Sequence, residues 1–387
     1  MNPQTVWEIE DEETIRRDQE IRFIEFAAFA TYGFPGTPIL GFPLVEVAMG
    51  LLIMAAWFRK PRYPSLPTVT ALAFFLLVVF ALSAYINDMW NLRRLIHIGG
   101  FFALILVFAN GRVHMRSAGA GLAAGLTAGI VISAIQLGGG AFSARMSGQF
   151  ADPNGGSYIM LTLGCVALSV LQHKGVRALF ILVVSTGVLL TLSRTGILAL
   201  AFIVVWVINA RILGWATKAL LGAVMIYFVG NVPDAWKLWG PFSDRTGSDL
   251  LRQRIEAASA EQAATSGWLG HGPGTSRVNV EGLQFFFHSS YLALRNEVGW
   301  IGFVTLLAML AWAAFSLIRL PRKYHNTWLE CALLAAAVVA VTVGEILLDL
   351  PTAVAIGASL QHVSKSLLQM DQEDPERGID RRLREQR

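Results

Sequence analysis

The sequence has few charged residues and almost no cysteine, and each shortage excludes a class of protein. Only 15% of its 387 residues are Asp, Glu, Lys or Arg, and 54% are hydrophobic. A soluble domain usually carries about 25% charged residues. Cys165 and Cys331 are the two cysteines and each lies in an apolar run, so neither a disulfide framework nor a metal site is indicated. We therefore expect a polytopic membrane protein and not a soluble globular enzyme.

Several motifs are also missing. The sequence has no Asp-x-Asp, no Gly-x-x-x-x-Gly-Lys-Ser/Thr, no Gly-x-Gly-x-x-Gly with a suitably placed acid and no His-Glu-x-x-His. ATP hydrolysis and zinc chemistry are therefore unsupported, and we expect no metal and no cofactor. The first 20 residues are largely acidic and polar, unlike a removable signal peptide. Membrane entry is expected to use the spans themselves.

Long apolar runs are abundant. A spanning helix needs about 20 mostly apolar residues, because its backbone polar groups must be satisfied within the segment. Runs separated by Lys/Arg clusters or by Gly, Pro and Asn turns predict about twelve spans, the first of which is short and carries Arg22 and Glu25. The expected spans are 23–34, 39–58, 67–86, 92–110, 117–137, 156–171, 178–192, 195–210, 216–230, 298–318, 327–348 and 352–369.

Basic residues predict the orientation of these spans. Twelve Lys and Arg lie in the five short loops that follow even-numbered spans, and four lie in the alternate loops, namely Arg93, Arg94, Arg145 and Arg194. Because short basic loops stay in the cytoplasm, both termini are expected there. The net charge of +4 is explained by this topology, and no nucleic-acid partner is expected.

The same topology predicts the domain organisation. A cytoplasmic segment 1–22 precedes transmembrane helices 1–9 over 23–230, and helices 10–12 over 298–369 precede a basic cytoplasmic tail 370–387 that is expected beside anionic membrane lipids. Between them, 231–297 forms a long extracytoplasmic loop with a predicted helix over 249–265 and a glycine-rich turn over 267–274. Its many aromatic residues argue against disorder, so we expect a folded cap over the outer face.

Arginine in the outer loops needs an anionic partner. Arg194 lies in a tight turn between two apolar runs, where a misplaced cation costs about 2.5 to 3.5 kcal/mol. Guanidinium groups bind phosphate oxygens bidentately, so several of them could hold a pyrophosphate without a metal ion. Alternatively, Arg194 snorkels to the interface and Arg252 pairs with Glu256 on a solvated helix face. Arg252 and Arg254 point about 200° apart on a regular helix and cannot both face one ligand.

His288 is the candidate general base among the seven histidines. It follows three phenylalanines at the end of the cap and precedes Ser289 at the mouth of a span. The unperturbed pKa of imidazole, about 6.5, suits proton abstraction near neutral pH. A histidine at an aromatic membrane edge can also be structural. No role is assigned to the other histidines, which are His97, His114, His173, His271, His325 and His362.

Three ordered blocks together resemble the O-antigen ligase and polymerase superfamily of bacterial membrane glycosyltransferases. The first block is 145–154, which begins with Arg145 and ends with Pro153-Asn154, and the second is Leu192-Ser193-Arg194-Thr195-Gly196. The third is the long loop with Arg252, the glycine-rich turn and His288-Ser289, followed after nine residues by Gly299-Trp300-Ile301-Gly302. The family commonly has Trp four residues after its loop arginine, where this sequence has Glu256.

The resemblance implies an all-α, GT-C-like membrane fold with about twelve transmembrane helices and a helical extracytoplasmic cap. It implies metal-independent, inverting transfer of a glycan from a polyprenyl-pyrophosphate donor in the bacterial cytoplasmic (inner) membrane to a saccharide or lipid A core acceptor. His288 would be the base, and Arg194 and Arg252 would stabilise the departing pyrophosphate. Arg145, Asn154, Ser193 and Arg254 would bind or orient substrate. Ligase and polymerase remain open, as do a transporter or flippase for an anionic lipid-linked substrate and a scaffold subunit.

Overall fold

The computed structural model describes residues 20–39, 41–63, 66–139, 145–150, 152–232 and 246–373. These residues are mostly helical, which confirms the predicted fold class at that level. The predicted segment 1–22 and tail 370–387 lie mostly outside the described residues, as does the part 233–245 of the predicted cap loop. The α-helices in the described ranges are α1 Phe23–Ala30, α2 Leu44–Trp57, α3 Pro67–Ile86, α4 Leu92–Ala109, α5 Met115–Gly138, α6 Pro153–Leu168, α7 Lys174–Leu190, α8 Arg194–Asn209, α9 Trp215–Gly230, α10 Thr246–Ala264, α11 Ser290–Ile318, α12 Thr327–Val339 and α13 Leu350–Glu373.

Two small antiparallel hairpins accompany the helices in the part of the chain that the structure describes. Pro38–Ile39 (β1) pairs with Phe42–Pro43 (β2) before α2, and Arg277–Val280 (β3) pairs with Leu283–Phe286 (β4) in the predicted cap. In the second hairpin Val278 is opposite Phe285 and Val280 is opposite Leu283. We use the name cap for residues 246–289, which comprise α10, this hairpin and the connections to α11.

Apolar helices indicate a membrane protein. In the described ranges α3, α4, α5 and α11 are long and apolar enough to cross a membrane, and α2, α8, α9 and α12 are shorter apolar helices. Each of the twelve predicted runs overlaps one helix, α1 to α9 or α11 to α13. The membrane class is confirmed by length and composition, whereas the number of spans stays a prediction.

Three helix boundaries differ from the expected spans by five residues or more. Helix α2 begins at Leu44, because the β1–β2 hairpin and Pro43 precede it. Helix α11 begins at Ser290 and not at 298, because a kink at Gly299 joins a further helical segment to the predicted span. Helix α12 ends at Val339, and residues 340–349 form turns and a short 3-10 helix, Ile346–Leu348, up to the start of α13. We call 340–349 the broken segment.

A row of glycines on α5 holds the short helix α1. Gly121, Gly125 and Gly129 are four residues apart and therefore lie on one face. A Cβ atom on any of them would overlap a backbone carbonyl of the α1 region, that of Phe26, Ala30 or Gly33 respectively. Small residues at this spacing let helix backbones approach closely in membrane proteins. This contact explains how an eight-residue helix is held in the bundle.

A buried ion pair joins α9 and α12 at the end of the bundle away from the cap. The Nζ atom of Lys218 donates to both carboxylate oxygens of Glu330, at 3.0 and 2.9 Å, and both side chains are 1% exposed. The indole Nε1 of Trp206 on α8 donates to the same carboxylate at 2.9 Å. The pair therefore ties three helices together through groups removed from water.

Removing one partner of this pair should destabilise the protein strongly. Lys218→Met leaves the Glu330 carboxylate buried without its cation, which costs about 3 to 5 kcal/mol in comparable sites. The double variant Lys218→Met/Glu330→Leu removes both charges and should recover most of the loss. Thermal unfolding of the purified proteins in detergent measures both effects. Lys323→Met breaks an exposed pair with Glu373 and serves as the control, with no measurable shift expected. A double variant as unstable as the single one would contradict the prediction.

Candidate catalytic site at the cap end of the bundle

The cap has a small core that fixes the position of His288. The buried residues of this core are Ile255 and Ala263 of α10, Val278 and Val280 of β3, Phe287 in the connection to α11, and Ala293 of α11. The backbone N–H of Phe287 donates to the carbonyl oxygen of Ser276 at 3.2 Å. His288 follows Phe287 directly, so its backbone is held where the cap meets the first turn of α11.

The kink in α11 is stabilised by the glycine-rich turn of the cap. Gly299 has φ of +63°, which interrupts the helix. The N–H groups of Trp300 and Ile301 donate to the carbonyl oxygens of Gly267 and Trp268, both at 3.2 Å. A Cβ atom on Gly299 would overlap the backbone of Trp268. Gly299 is the glycine that follows Ser289 after nine residues. It is therefore needed both for the kink and for the close approach of the turn.

Two further helices begin beside each other near this point. Asp152 caps α6 by accepting from the N–H of Gly155 at 2.6 Å, and Ser193 caps α8 by accepting from the N–H of Gly196 at 3.3 Å. A Cβ atom on Gly196 would lie 2.6 Å from the Cβ atom of Ser157 on α6, so the two first turns are in contact. Arg194 is the first residue of α8. Ser193 was predicted to bind substrate. In the structure its side chain is buried and caps α8.

Arg145 and Asn154 are brought together, as the first predicted block suggests. The Nε atom of Arg145 donates to the carbonyl oxygen of Thr191 at 3.0 Å, and its Nη2 atom donates to Oδ1 of Asn154 at 3.3 Å. Thr191 precedes the turn that carries Ser193 and Arg194. Arg145 therefore joins this turn to the first turn of α6 and is placed to orient the site.

The broken segment joins α8 to α11. The hydroxyl groups of Thr195 and Thr342 are 2.6 Å apart. The N–H of Ser290 donates to the carbonyl oxygen of Ala340 at 2.9 Å, and the hydroxyl group of Ser290 donates to the carbonyl oxygen of Val343 at 2.6 Å. A Cβ atom on Gly344 would overlap the carbonyl oxygen of Phe287. Thr195, which follows Arg194, and Ser290, which is two residues after His288, therefore both contact the broken segment.

His288 lies in the electric field of Arg252, a predicted site residue, and of Asp152, which lies within the first predicted block. The pKa of His288 is lowered from its ordinary value, first by burial and then by the positive charge of Arg252, while the negative charge of Asp152 opposes the shift. The imidazole is therefore neutral, and able to accept a proton, at neutral pH.

Arg252 and Arg254 are separated as helix geometry requires. Arg252 is one turn before the buried Ile255 and acts on His288. Arg254 is exposed and is paired with Glu281 at the tip of the β3–β4 hairpin. Of the two arginines between which the sequence left a choice, Arg252 is therefore the one whose charge acts on His288, and Arg254 pairs with Glu281 within the cap.

Arg194 is the first residue of α8, and His288 lies two residues before α11 within the electrostatic reach of Arg252 on α10. No family model and no curated protein matches this chain. The resemblance to the O-antigen ligase and polymerase superfamily therefore stays an expectation that rests on these residues.

Sequence reasoning missed the contribution of the broken segment. It was predicted as part of one apolar span, and the carboxylates of Glu345 and Asp349 were assigned no role. Ionisable residues inside an apolar run are the signal that was available, since they are costly in a membrane and usually mark a functional site. The acids of this segment contact Arg94 and His97, which come from a distant part of the chain.

The electrostatics of His288 can be tested by three substitutions that change one charge each. Arg252→Gln removes a positive charge and should raise the pKa of His288, whereas Asp152→Asn removes a negative charge and should lower it. Arg254→Gln on the same helix is the control and should leave it unchanged. Diethyl pyrocarbonate modifies the neutral imidazole, so its rate of reaction with His288 against pH, followed by mass spectrometry, gives the pKa. Equal shifts from both arginine variants would show that Arg252 does not act on His288 specifically.

Proposed function

We propose that this protein transfers a glycan from a polyprenyl-pyrophosphate donor to a saccharide acceptor at the outer face of the bacterial cytoplasmic membrane. The transfer needs no metal ion and inverts the anomeric carbon. The observation that carries the proposal is the electrostatic effect of Arg252 on His288, which precedes α11 at the point where the broken segment joins that helix to the first turn of α8. This reaction requires a general base for the acceptor hydroxyl and positively charged groups that bind the pyrophosphate.

The donor pyrophosphate is assigned to the cationic side of the site. Arg194 is the first residue of α8, and Arg252 approaches from the cap. Helix N-termini carry partial positive charge and bind phosphate groups, and α6 and α8 begin in contact with each other. Charge-assisted hydrogen bonds to phosphate contribute roughly 1.5 to 3 kcal/mol each. Arg194 and Arg252 can therefore stabilise the charge that develops on the leaving group.

His288 is assigned the role of general base. Its lowered pKa keeps the imidazole neutral at pH 7, so it can take the proton of the acceptor hydroxyl as that oxygen attacks the anomeric carbon. The new glycosidic C–O bond forms as the bond to the pyrophosphate oxygen breaks, and the electron pair leaves with the pyrophosphate. The leaving group departs as an anion and needs no proton, so one base suffices.

Three further predicted residues, Arg145, Asn154 and Ser193, position the start of α8. Arg145 and Asn154 hold the turn before α8, and Ser193 caps that helix. We assign them to the orientation of Arg194. The acceptor is either lipid A core saccharide, as for a ligase, or a second lipid-linked repeat, as for a polymerase. Lipid-linked donor supplied alone distinguishes them, because only a polymerase then makes longer chains.

A transporter or flippase for an anionic lipid-linked substrate is the second candidate. The break between α12 and α13 favours it, because interrupted helices form the substrate sites of many transporters. In that case the arginines bind substrate, and His288 is not needed for movement.

Two variants separate these functions in proteoliposomes loaded with a defined lipid-linked donor and acceptor. His288→Ala should lower transfer by about 10²- to 10⁴-fold, because the base is lost, while donor binding persists. Arg194→Gln should weaken both donor binding and transfer. Lys323→Gln, an exposed residue at the far end of the bundle, is the control and should behave as wild type.

The pH dependence gives a second readout of the same assignment. Transfer requires neutral His288, so the rate should fall as pH drops through the lowered pKa of that residue, below about 6.5. Arg252→Gln raises this pKa and should move the acid limb to higher pH. Wild-type protein that moves donor across the bilayer without forming a glycosidic bond, with His288→Ala unaffected, would support the transporter instead.

A further inference from the structure

A second group of charged side chains lies along the broken segment, next to the site described above. The Nε and Nη2 atoms of Arg94 donate to Oε2 of Glu297 at 3.2 and 3.1 Å. The Nη1 atom of Arg94 lies 3.3 Å from Oε2 of Glu345. One guanidinium on α4 is therefore shared by a carboxylate of α11 and a carboxylate of the broken segment.

The group continues towards α2 and α13. His97 Nε2 lies 3.6 Å from Oδ1 of Asp349, and His97 Nδ1 lies 3.8 Å from Oε1 of Glu46. Arg93 Nη2 lies 3.9 Å from the same oxygen of Glu46. We call these residues the acidic cluster, since four carboxylates in it accompany two arginines and a histidine: Glu46, Glu297, Glu345, Asp349, Arg93, Arg94 and His97.

Two parts of the acidic cluster differ in their access to solvent. The side chains of Glu297 and Arg94 are 0% and 12% exposed, so this pair is an internal support. The side chains of Glu345 and Asp349 are 31% and 38% exposed. Their carboxylates therefore have surface available to a ligand, and Glu297 supports Arg94 independently of them.

A buried hydroxyl group lies near Asp349. Tyr32 is 1% exposed, and among the described residues its hydroxyl makes no hydrogen bond. The charge that acts on Tyr32 is that of Asp349, which places the phenol beside the cluster. Burying a hydroxyl without a hydrogen bond is costly, so an unused donor and acceptor next to partly exposed carboxylates indicates a place for a polar ligand.

The acidic cluster is adjacent to His288 on the side reached through Gly344. A Cβ atom on Gly344 would lie 3.9 Å from the Cα atom of His288, and Glu345 is the next residue. Along the broken segment, Thr342 contacts the start of α8, whereas Glu345 and Asp349 contact α4. The segment therefore runs from the side of Arg194 to the acidic cluster.

The chemistry of inversion requires such an arrangement. The attacking hydroxyl and the leaving pyrophosphate occupy opposite sides of the anomeric carbon, so the acceptor cannot share the cationic side with the donor phosphates. It must nevertheless bring its hydroxyl to His288. The acidic cluster adjoins His288, and its surplus of carboxylates offers acceptors for the hydroxyl groups of a sugar.

We propose that the acidic cluster is the acceptor subsite, in which Glu345 and Asp349 accept hydrogen bonds from the hydroxyl groups of a saccharide that carries no negative charge near its reacting end. This inference rests on the proposed function. The surplus of negative charge repels uronic acid and phosphorylated sugars from the subsite and keeps the donor pyrophosphate on the side of Arg194 and Arg252.

Two isosteric variants test the subsite. Glu345→Gln leaves Arg94 paired with Glu297, and Asp349→Asn keeps a side-chain oxygen for the bond that Asp349 accepts from the N–H of Leu350 at 2.8 Å. Both should therefore fold, which thermal unfolding checks. Each should raise the KM for a neutral hexose oligosaccharide acceptor by about tenfold or more, with the KM for the lipid-linked donor within about twofold. Glu373→Gln, a carboxylate at the other end of α13, is the matched control and should change neither.

A charged acceptor gives the sharper comparison. The same oligosaccharide with a uronic acid as its terminal residue should be a poor acceptor for wild type and a better one for both variants, because each removes a negative charge. Equal effects on donor and acceptor KM, or an unchanged acceptor KM, would overturn the subsite while leaving the proposed function intact.

Binding of the oligosaccharide without donor separates the two proposals. Saturation-transfer NMR with wild-type protein should detect the neutral oligosaccharide, and Asp349→Asn should weaken the signal. Binding that depends on Asp349 in a protein that forms no glycosidic bond would support a saccharide site at the acidic cluster and reject both the transferase and the role of the cluster as its acceptor subsite. Absence of binding by wild type, or binding that neither variant changes, would reject the subsite.

Discussion

A helix that stops inside an apolar bundle exposes backbone polar groups that no lipid can satisfy, and the structure around residues 340–349 answers this constraint. The side chain of Ser290 donates to the carbonyl of Val343 and accepts from the N–H of Ile346. The hydroxyl of Tyr158 donates to the carbonyl of Ile346 at 3.2 Å and lies 2.7 Å from that of Thr352. Because backbone groups in a membrane must find partners within the protein, the interruption draws α6, α8 and α11 to one place. The candidate site is built at the positions where these partners are supplied.

The broken segment also lies between two different groups of polar residues. Arg194 and the N-termini of α6 and α8 lie on the side where Thr342 meets α8, and on the side where Glu345 and Asp349 meet α4 four carboxylates accompany two arginines and a histidine. Like charges within either group repel, and the pairs Arg94–Glu297 and Arg145–Asn154 keep each group in place through their own hydrogen bonds. A reaction that needs an anion and a neutral hydroxyl on opposite sides of one carbon atom fits this division.

The sequence predicts the regular helices well and the interruptions poorly. Pro67–Ile86 matches the predicted span, because an apolar run of sufficient length lies between a proline and Asn87. The break after Val339 was missed, because Thr342, Val343 and Gly344 are compatible with an apolar helix and the groups that replace their helical bonds come from distant elements. Arg252 could have been preferred to Arg254 from the spacing of Ile255, Ser259 and Ala263, which marks the inward face of α10. The pairing of Arg94 with Glu297 could not be predicted, since nothing local to either residue specifies it.

The glycines of α5 constrain the chain in another way. At Gly121, Gly125 and Gly129 two backbones touch without a side chain between them, so even a methyl group has no room. Most lipid-facing positions of a membrane helix tolerate exchange among apolar residues, but these three do not. Substitution is therefore strongly restricted at these three glycines, which take no part in the proposed reaction. Their role is to hold in place a helix of eight residues that is too short to anchor itself.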